Sequence, residues 1–189
     1  MADQGPIANS LEEVVERYLA EYSHHEDREL EWFRRQPTLS EAVRLAGLAE
    51  RPFGKRFNHQ RRIPPSVLLN AARVLLDEVN KIAQAGTFDE LFQLIARAIG
   101  DIRGVGELMI YDTALRIGAK LSLSPERIYL HSGTREGARY LGFDGKRKSI
   151  DLHELPTALQ RLEPSQIEDV LCIYKNHLRL IGGEKPASV

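Results

Sequence analysis

Cysteine is almost missing from this sequence, since Cys172 is the only one among 189 residues. A single thiol excludes an intramolecular disulfide, a zinc site built from several cysteines and an iron–sulfur cluster. Long apolar runs are also missing, and none approaches the ~20 residues of a membrane-spanning helix. The segment M-A-D-Q-G-P at the start lacks the basic and apolar regions of a signal peptide. We therefore expect a cytoplasmic protein that has no membrane contact and no cofactor.

Alternating apolar and polar runs of strand length are absent as well, whereas helical spacing of apolar residues recurs along the chain. Three Ser/Thr-x-x-Glu patterns predict helix starts of the capping-box type, at Ser10–Glu13, Thr87–Glu90 and Ser165–Glu168. These patterns predict an all-α fold of about eight to ten helices in a compact multi-helix domain.

The net charge of −1 conceals an uneven distribution. Residues 1–50 hold 5 Lys/Arg against 11 Asp/Glu, residues 51–150 hold 17 against 10, and residues 151–189 hold 4 against 6. A basic middle between acidic ends suggests a polyanionic partner for the middle. We predict two parts, an acidic N-terminal helical appendage over 1–50 and a helical domain over 51–189.

Residues 23–27 read S-H-H-E-D and contain metal-ligand residue types. Neighbouring histidines on a helix point about 100° apart, so they rarely share one ion. We expect a solvated helix junction there and no metal site.

Residues 51–65 read R-P-F-G-K-R-F-N-H-Q-R-R-I-P-P and carry five Lys/Arg without any acid. One interpretation is a phosphate-contacting loop, in which cations meet phosphates and Phe53 or Phe57 stacks on bases. The other is a solvated surface loop whose phenylalanines pack into the core. The residues by themselves do not decide between the two.

The most informative stretch runs from Ile99 to Leu123 and places Gly104-Val105-Gly106 between two helical patterns. Glycine lets a backbone approach another molecule closely because it has no side chain. The N–H groups and dipole at the N-terminus of the second helix would favour a phosphate. This arrangement predicts nucleic-acid binding.

The stretch resembles the helix-hairpin-helix motif, in the version found in the DNA glycosylase superfamily. Gly104, Val105, Gly106 and Ala114 stand where that family has Gly-hydrophobic-Gly and the first packed alanine of the second helix. The resemblance covers residues 66–142 and ends in Tyr140-Leu141-Gly142. It implies a helical domain that binds DNA, double-stranded DNA being favoured.

The family's catalytic residues are not matched. His131 stands in place of its aspartate, and residues 107–110 contain no lysine where the family's nucleophile would fall. The spacer after the glycines is also about one helical turn longer than the family's. An altered site would have to draw on other residues, and the candidates are Asp112, His131, Lys120, Glu107 and Asp101.

Three hypotheses follow. The first is a DNA-binding protein without standard glycosylase catalysis, which contacts phosphates with little sequence specificity. Its predicted binding residues are Arg103, Gly104, Val105, Gly106, Lys55, Arg56, Arg61 and Arg62. The second is a divergent base-excision glycosylase, and the third is a protein-interaction subunit whose acidic N-terminal helices form the working surface.

Overall fold

A computed structural model describes residues 8–181, except for the side chains of residues 23–27. Within this range the chain forms ten α-helices and two small sheets of two strands each. The helices are α1 (Leu11–Glu21), α2 (Ser23–Arg34), α3 (Leu39–Gly47), α4 (Pro65–Asp77), α5 (Val79–Ile82), α6 (Phe88–Ile99), α7 (Glu107–Leu121), α8 (Ser132–Tyr140), α9 (Pro164–Ile173) and α10 (Lys175–Ile181). The strands are β1 (Glu50–Arg51), β2 (Lys55–Arg56), β3 (Ile128–Tyr129) and β4 (Ser149–Ile150).

The prediction of a mostly helical protein is confirmed for the described residues, because each of the four strands is only two residues long. None of the helices described has the length and apolar character needed to cross a membrane. The histidine pair of residues 23–27 falls where the structure describes no side chains, so the metal question raised above lies outside it.

The described chain divides into two compact units, one formed by residues 8–26 and 125–181 and one by Asp27–Ser124. The predicted boundary at residue 50 coincides with neither break. The reason is that α3, although part of the acidic segment, packs against α4 and α7, whereas α1 packs against α9 and α10. The described part of residues 1–50 is thus shared between the two units and does not form an appendage of its own.

The core of the 27–124 unit is built from the inner faces of α3, α4, α6 and α7. α3 and α4 approach closely at Gly47, where an added Cβ atom would lie 2.6 Å from the Cα of Ala72. The largest aliphatic side chains of this core are almost wholly buried: Leu68, Leu75, Leu91, Ile95, Ile99 and Ile117. This buried core supports the loop and the turn described below.

The other unit packs α1 and the helices α8 to α10 around the short β3–β4 pair, in which Ile128 lies opposite Ile150. α8 lies directly on α9, since a Cβ atom on Gly137 would lie 2.1 Å from the carbonyl oxygen of Leu171. The fully buried residues in the core of this unit include Val14, Tyr18, Ile128, Ile150, Ile167, Val170, Leu171 and Tyr174.

Two of the three predicted helix starts are confirmed, although Glu13 and Glu90 accept the N–H of the residue before the cap, Asn9 and Gly86, and not that of the cap itself. The hydroxyl of Ser10 accepts the N–H of Glu13 at 3.2 Å, and that of Thr87 accepts the N–H of Glu90 at 3.2 Å. The Ser165–Glu168 prediction is wrong. α9 already begins at Pro164, where the N–H of Glu163 donates to Oε1 of Gln166 at 3.1 Å.

Candidate functional site

The turn between α6 and α7 leaves its glycine backbone exposed. α6 ends at Ile99, and the N–H of Val105 donates to the carbonyl of Ile102 at 2.9 Å, which closes the turn. Gly104 has φ +101°, a left-handed conformation that favours glycine. Gly104 and Gly106 are exposed, and Val105 is half-buried. Neighbouring side chains therefore do not cover this corner of the molecule.

Gly106 is the N-cap of α7, and no side chain of the described residues caps the helix there. A Cβ atom at this position would find no described atom within 4 Å. The first N–H groups of a helix have no partner within the helix, and they carry the positive end of its dipole. The N-terminus of α7 is thus open to a ligand from the side of Gly106.

The turn packs on the beginning of α4. A Cβ atom on Gly104 would lie 3.3 Å from Cγ2 of Val67. A shallow depression lies between the two elements, and its lining residues are Ser66, Val67, Asn70, Asp101, Ile102 and Arg103. A hydroxyl, an amide and a guanidinium therefore border one open surface beside the turn.

The turn itself does not supply a positive field. Arg103 is exposed, and so are the carboxylates of Asp101 and Glu107, which stand on either side of it. The cations that would attract a polyanion must come from elsewhere in the unit.

Residues 51–65 bring those cations to the same region. β1 and β2 pair as a small hairpin, in which Arg51 lies opposite Lys55, and the segment then runs into α4 at Pro65. Gln60 donates from Nε2 to Oδ2 of Asp112 on α7. Asp112 lies six residues beyond Gly106, which is about 9 Å along the axis of α7. The segment is therefore fastened to α7 within about two helical turns of the exposed glycines.

The four predicted cations of this segment fall into two groups. Lys55, Arg61 and Arg62 are exposed, and none of them forms an ion pair with another described side chain. Arg56 is half-buried and donates from Nη1 to the carbonyl of Ile63 at 3.0 Å. Arg56 therefore holds the loop in shape, whereas the other three face solvent.

The two phenylalanines of the segment also differ. Phe57 is buried beneath the guanidinium of Arg116 and stacks on Phe33, with the ring centroids 6.2 Å apart. Phe53 is 97% exposed at the tip of the hairpin. The expected packing of a phenylalanine into the core is confirmed for Phe57, whereas Phe53 faces solvent.

Asp112 and Lys120, two of the catalytic candidates, have structural partners. Asp112 accepts from Gln60 and lies 3.6 Å from Nη2 of Arg116, whose Nε donates to Glu29 at 2.8 Å. Lys120 donates from Nζ to the carbonyl oxygens of Arg34 and Gln36, at 3.1 Å and 2.5 Å. Together they connect α7 to α2 and to the basic segment.

His131, the third candidate, belongs to the other unit and is buried at the N-cap of α8. Its Nε2 contacts Oε1 of Glu168, and its backbone N–H donates to Oγ1 of Thr134 at 2.8 Å. Glu168 was not expected at this place, because the sequence interpretation used it as a helix cap. No local pattern relates two residues 37 positions apart, so only the fold brings them together.

Much of the acidic charge in the described part of residues 1–50 is paired with arginine. Glu13 contacts Arg17, Glu31 contacts Arg34 and Arg35, and Glu41 contacts Arg44. Hydrogen bonding to Arg35 lowers the pKa of Glu31 from its ordinary value, which favours the ionised, paired form. Surface pairs of this kind leave fewer unpaired carboxylates for a basic protein partner to bind.

Comparison with protein-family models, with curated proteins and with solved structures finds no match to this chain.

Proposed function

We propose that the chain binds nucleic acid, double-stranded DNA being favoured, through the backbone of Gly104, Val105 and Gly106. The α6–turn–α7 segment would act as a helix-hairpin-helix, with one phosphate held at the N-terminus of α7. Arg103, Lys55, Arg61 and Arg62 would contact further phosphates. Such contacts carry no sequence information, so binding would be nearly independent of base sequence.

The observation that carries the proposal is the placement of the cation-rich segment beside the exposed glycine turn. The contact between Gln60 and Asp112 holds the neighbouring Arg61 and Arg62 near the N-terminal half of α7. Cations and an uncapped helix N-terminus together suit a polyanion better than either feature does separately. The two carboxylates at the turn oppose binding, so this positive charge has to outweigh them.

The proposal is for binding without glycosylase catalysis. Asp112 and Lys120 are engaged with Gln60, Arg116 and backbone carbonyls, and these contacts give each a structural reason to be present. A glycosylase needs a carboxylate that faces the sugar of a flipped nucleotide. The described contacts of Asp112 and Lys120 favour a structural role, in which the two residues support the binding surface.

The test is a titration of a fluorescently labelled duplex by anisotropy at several salt concentrations. The logarithm of the affinity should fall steeply with the logarithm of salt, because each neutralised phosphate contributes about 0.9 to the slope. The double variant Arg61→Ala with Arg62→Ala should therefore reduce the slope by about 1.8.

The control removes two cations elsewhere in the same unit, by Lys81→Ala with Arg97→Ala, and Lys81 differs from Arg61 and Arg62 in pairing with Glu78 at 2.7 Å. Both residues are exposed and border a separate depression on α5 and α6. This control should keep the wild-type slope. Affinity that does not depend on salt, or equal slopes for the two double variants, would contradict the proposal.

A further inference from the structure

The tip of the β1–β2 hairpin consists of Pro52, Phe53 and Gly54, and it carries the most exposed large apolar side chain of the described residues. Phe53 is 97% exposed, although a phenylalanine four residues later in the same segment is buried. Single exposed apolar side chains are common on protein surfaces, so the indication of a partner comes from the backbone and the charge around this ring.

The backbone of the tip is strained at Phe53 itself. Phe53 has φ +66°, and Gly54 has φ +66°. A left-handed conformation is ordinary for glycine, but it is a true outlier for a bulky residue. Strained positions of this kind cluster at functional sites, where the surrounding structure maintains them. The hairpin therefore presents the ring outward at a conformational cost.

The charge around the ring limits what the partner can be. Arg51 and Lys55 form the pair directly below the tip, and the next pair joins Glu50 to Arg56, so the two strands carry three cations against one carboxylate. The partner should be an anion that also offers a flat apolar face. A nucleic-acid base next to its phosphates has both properties.

We infer that Phe53 stacks on an unpaired base, so that the preferred ligand is a duplex interrupted by unstacked bases, such as a bulge or a short gap. This inference rests on the proposed function and names its ligand class. In an intact duplex both faces of each base are covered by neighbouring bases, and the ring has nothing to stack on without unstacking a step. At a bulge one base face is already accessible.

An anionic membrane would also attract cations and a phenylalanine. One ring, however, buries far less apolar surface than a single myristoyl chain, which itself gives only marginal membrane binding. The other exposed cations of the segment belong to the proposed phosphate surface. We therefore favour the nucleic acid and use vesicles as a competing outcome of the test.

The experiment compares two duplexes of the same sequence, one intact and one carrying a two-nucleotide bulge that contains the fluorescent base 2-aminopurine. The full chain should bind the bulged duplex about tenfold more tightly, which is a typical effect of one base–aromatic stack. Binding should also quench the 2-aminopurine, because stacking lowers its fluorescence.

Three variants identify the ring as the cause. Phe53→Ala should abolish the tenfold preference and the quenching, while affinity for the intact duplex and its salt slope stay unchanged. Phe53→Trp should keep both signals, because tryptophan also offers a stacking face. Phe53→Leu is apolar without a π-face and should behave as Phe53→Ala.

The outcomes separate the two proposals. If the wild type binds neither duplex, the proposed function fails and this inference fails with it. If it binds both equally, or if Phe53→Ala keeps the preference, only this inference is overturned. Phe53-dependent binding to phosphatidylserine vesicles without any preference for the bulge would overturn it in favour of a membrane contact.

Discussion

The guanidinium carbon of Arg116 lies 3.8 Å from the centroid of the Phe57 ring. This contact places the basic segment on α7, the same helix whose N-terminus forms the exposed glycine corner. A cation over an aromatic face is stabilising, and the effect is larger when both groups are removed from water. Here Arg116 is 4% exposed and Phe57 is 8% exposed. The position of the exposed cations therefore depends on a buried contact behind them.

The two phenylalanines of the segment make a matched pair for a stability measurement. Phe57→Ala should lower the free energy of unfolding by about 3 kcal/mol, because it leaves a cavity beneath Arg116 and against Phe33. Phe53→Ala should change it by less than about 0.5 kcal/mol, because this ring is solvated.

Urea denaturation followed by tryptophan fluorescence checks this prediction. Trp32 is the only tryptophan of the chain, and its ring lies 4.9 Å from that of Phe33, so it reports on the unit concerned. Equal effects of the two substitutions would show that Phe57 does not anchor the segment as described.

Gly106 offers a substitution that should separate binding from stability. It has extended backbone angles, and the space around it is open, so Gly106→Ser should fit without strain. Serine is a good N-cap, and stability should stay within a few tenths of a kcal/mol or rise slightly. Duplex affinity should fall about tenfold, because the hydroxyl takes the N–H groups that the phosphate would use.

The control for this prediction is Gly86→Ser, which adds the same side chain just before α6. Its Cβ atom would make only an ordinary contact, 3.5 Å from Oε2 of Glu90. This variant should bind the duplex as the wild type does. Wild-type affinity in Gly106→Ser would show that no phosphate docks at the N-terminus of α7.

Cys172 should react slowly with thiol reagents in the folded protein. Burial, followed by the nearby charge of Glu168, raises the pKa of its thiol to about 11. At pH 8 the reactive thiolate is then about a thousandth of the total, roughly a hundredfold below that of a thiol with the ordinary pKa of 9.0.

The measurement is the rate of reaction with a chromogenic disulfide at pH 8, with and without denaturing urea. We expect a much faster rate in urea. The raised pKa also implies that this thiol's contribution to stability is complete below about pH 9 and is lost as the pH rises toward 11. A fast reaction in the folded state would mean that the thiol is more accessible and more acidic than described.

The sequence by itself determined those features that depend on residues close to one another along the chain. The helical periodicity and the caps at Ser10 and Thr87 depend on contacts one or two turns apart along the chain. Such contacts have the same geometry in any fold, so local patterns are sufficient to predict them.

The tertiary structure decided which members of equivalent pairs are exposed and which residues meet. Phe53 and Phe57 lie in the same basic segment, yet only Phe57 packs against Phe33 and Arg116. Arg56 donates to a carbonyl within the loop, whereas Arg61 is exposed to solvent. Glu168 does not cap a helix as expected but contacts His131, which is 37 positions away in the sequence. Burial and side-chain pairing depend on contacts between segments that are distant in the sequence. A local sequence pattern carries no information on which distant segments meet.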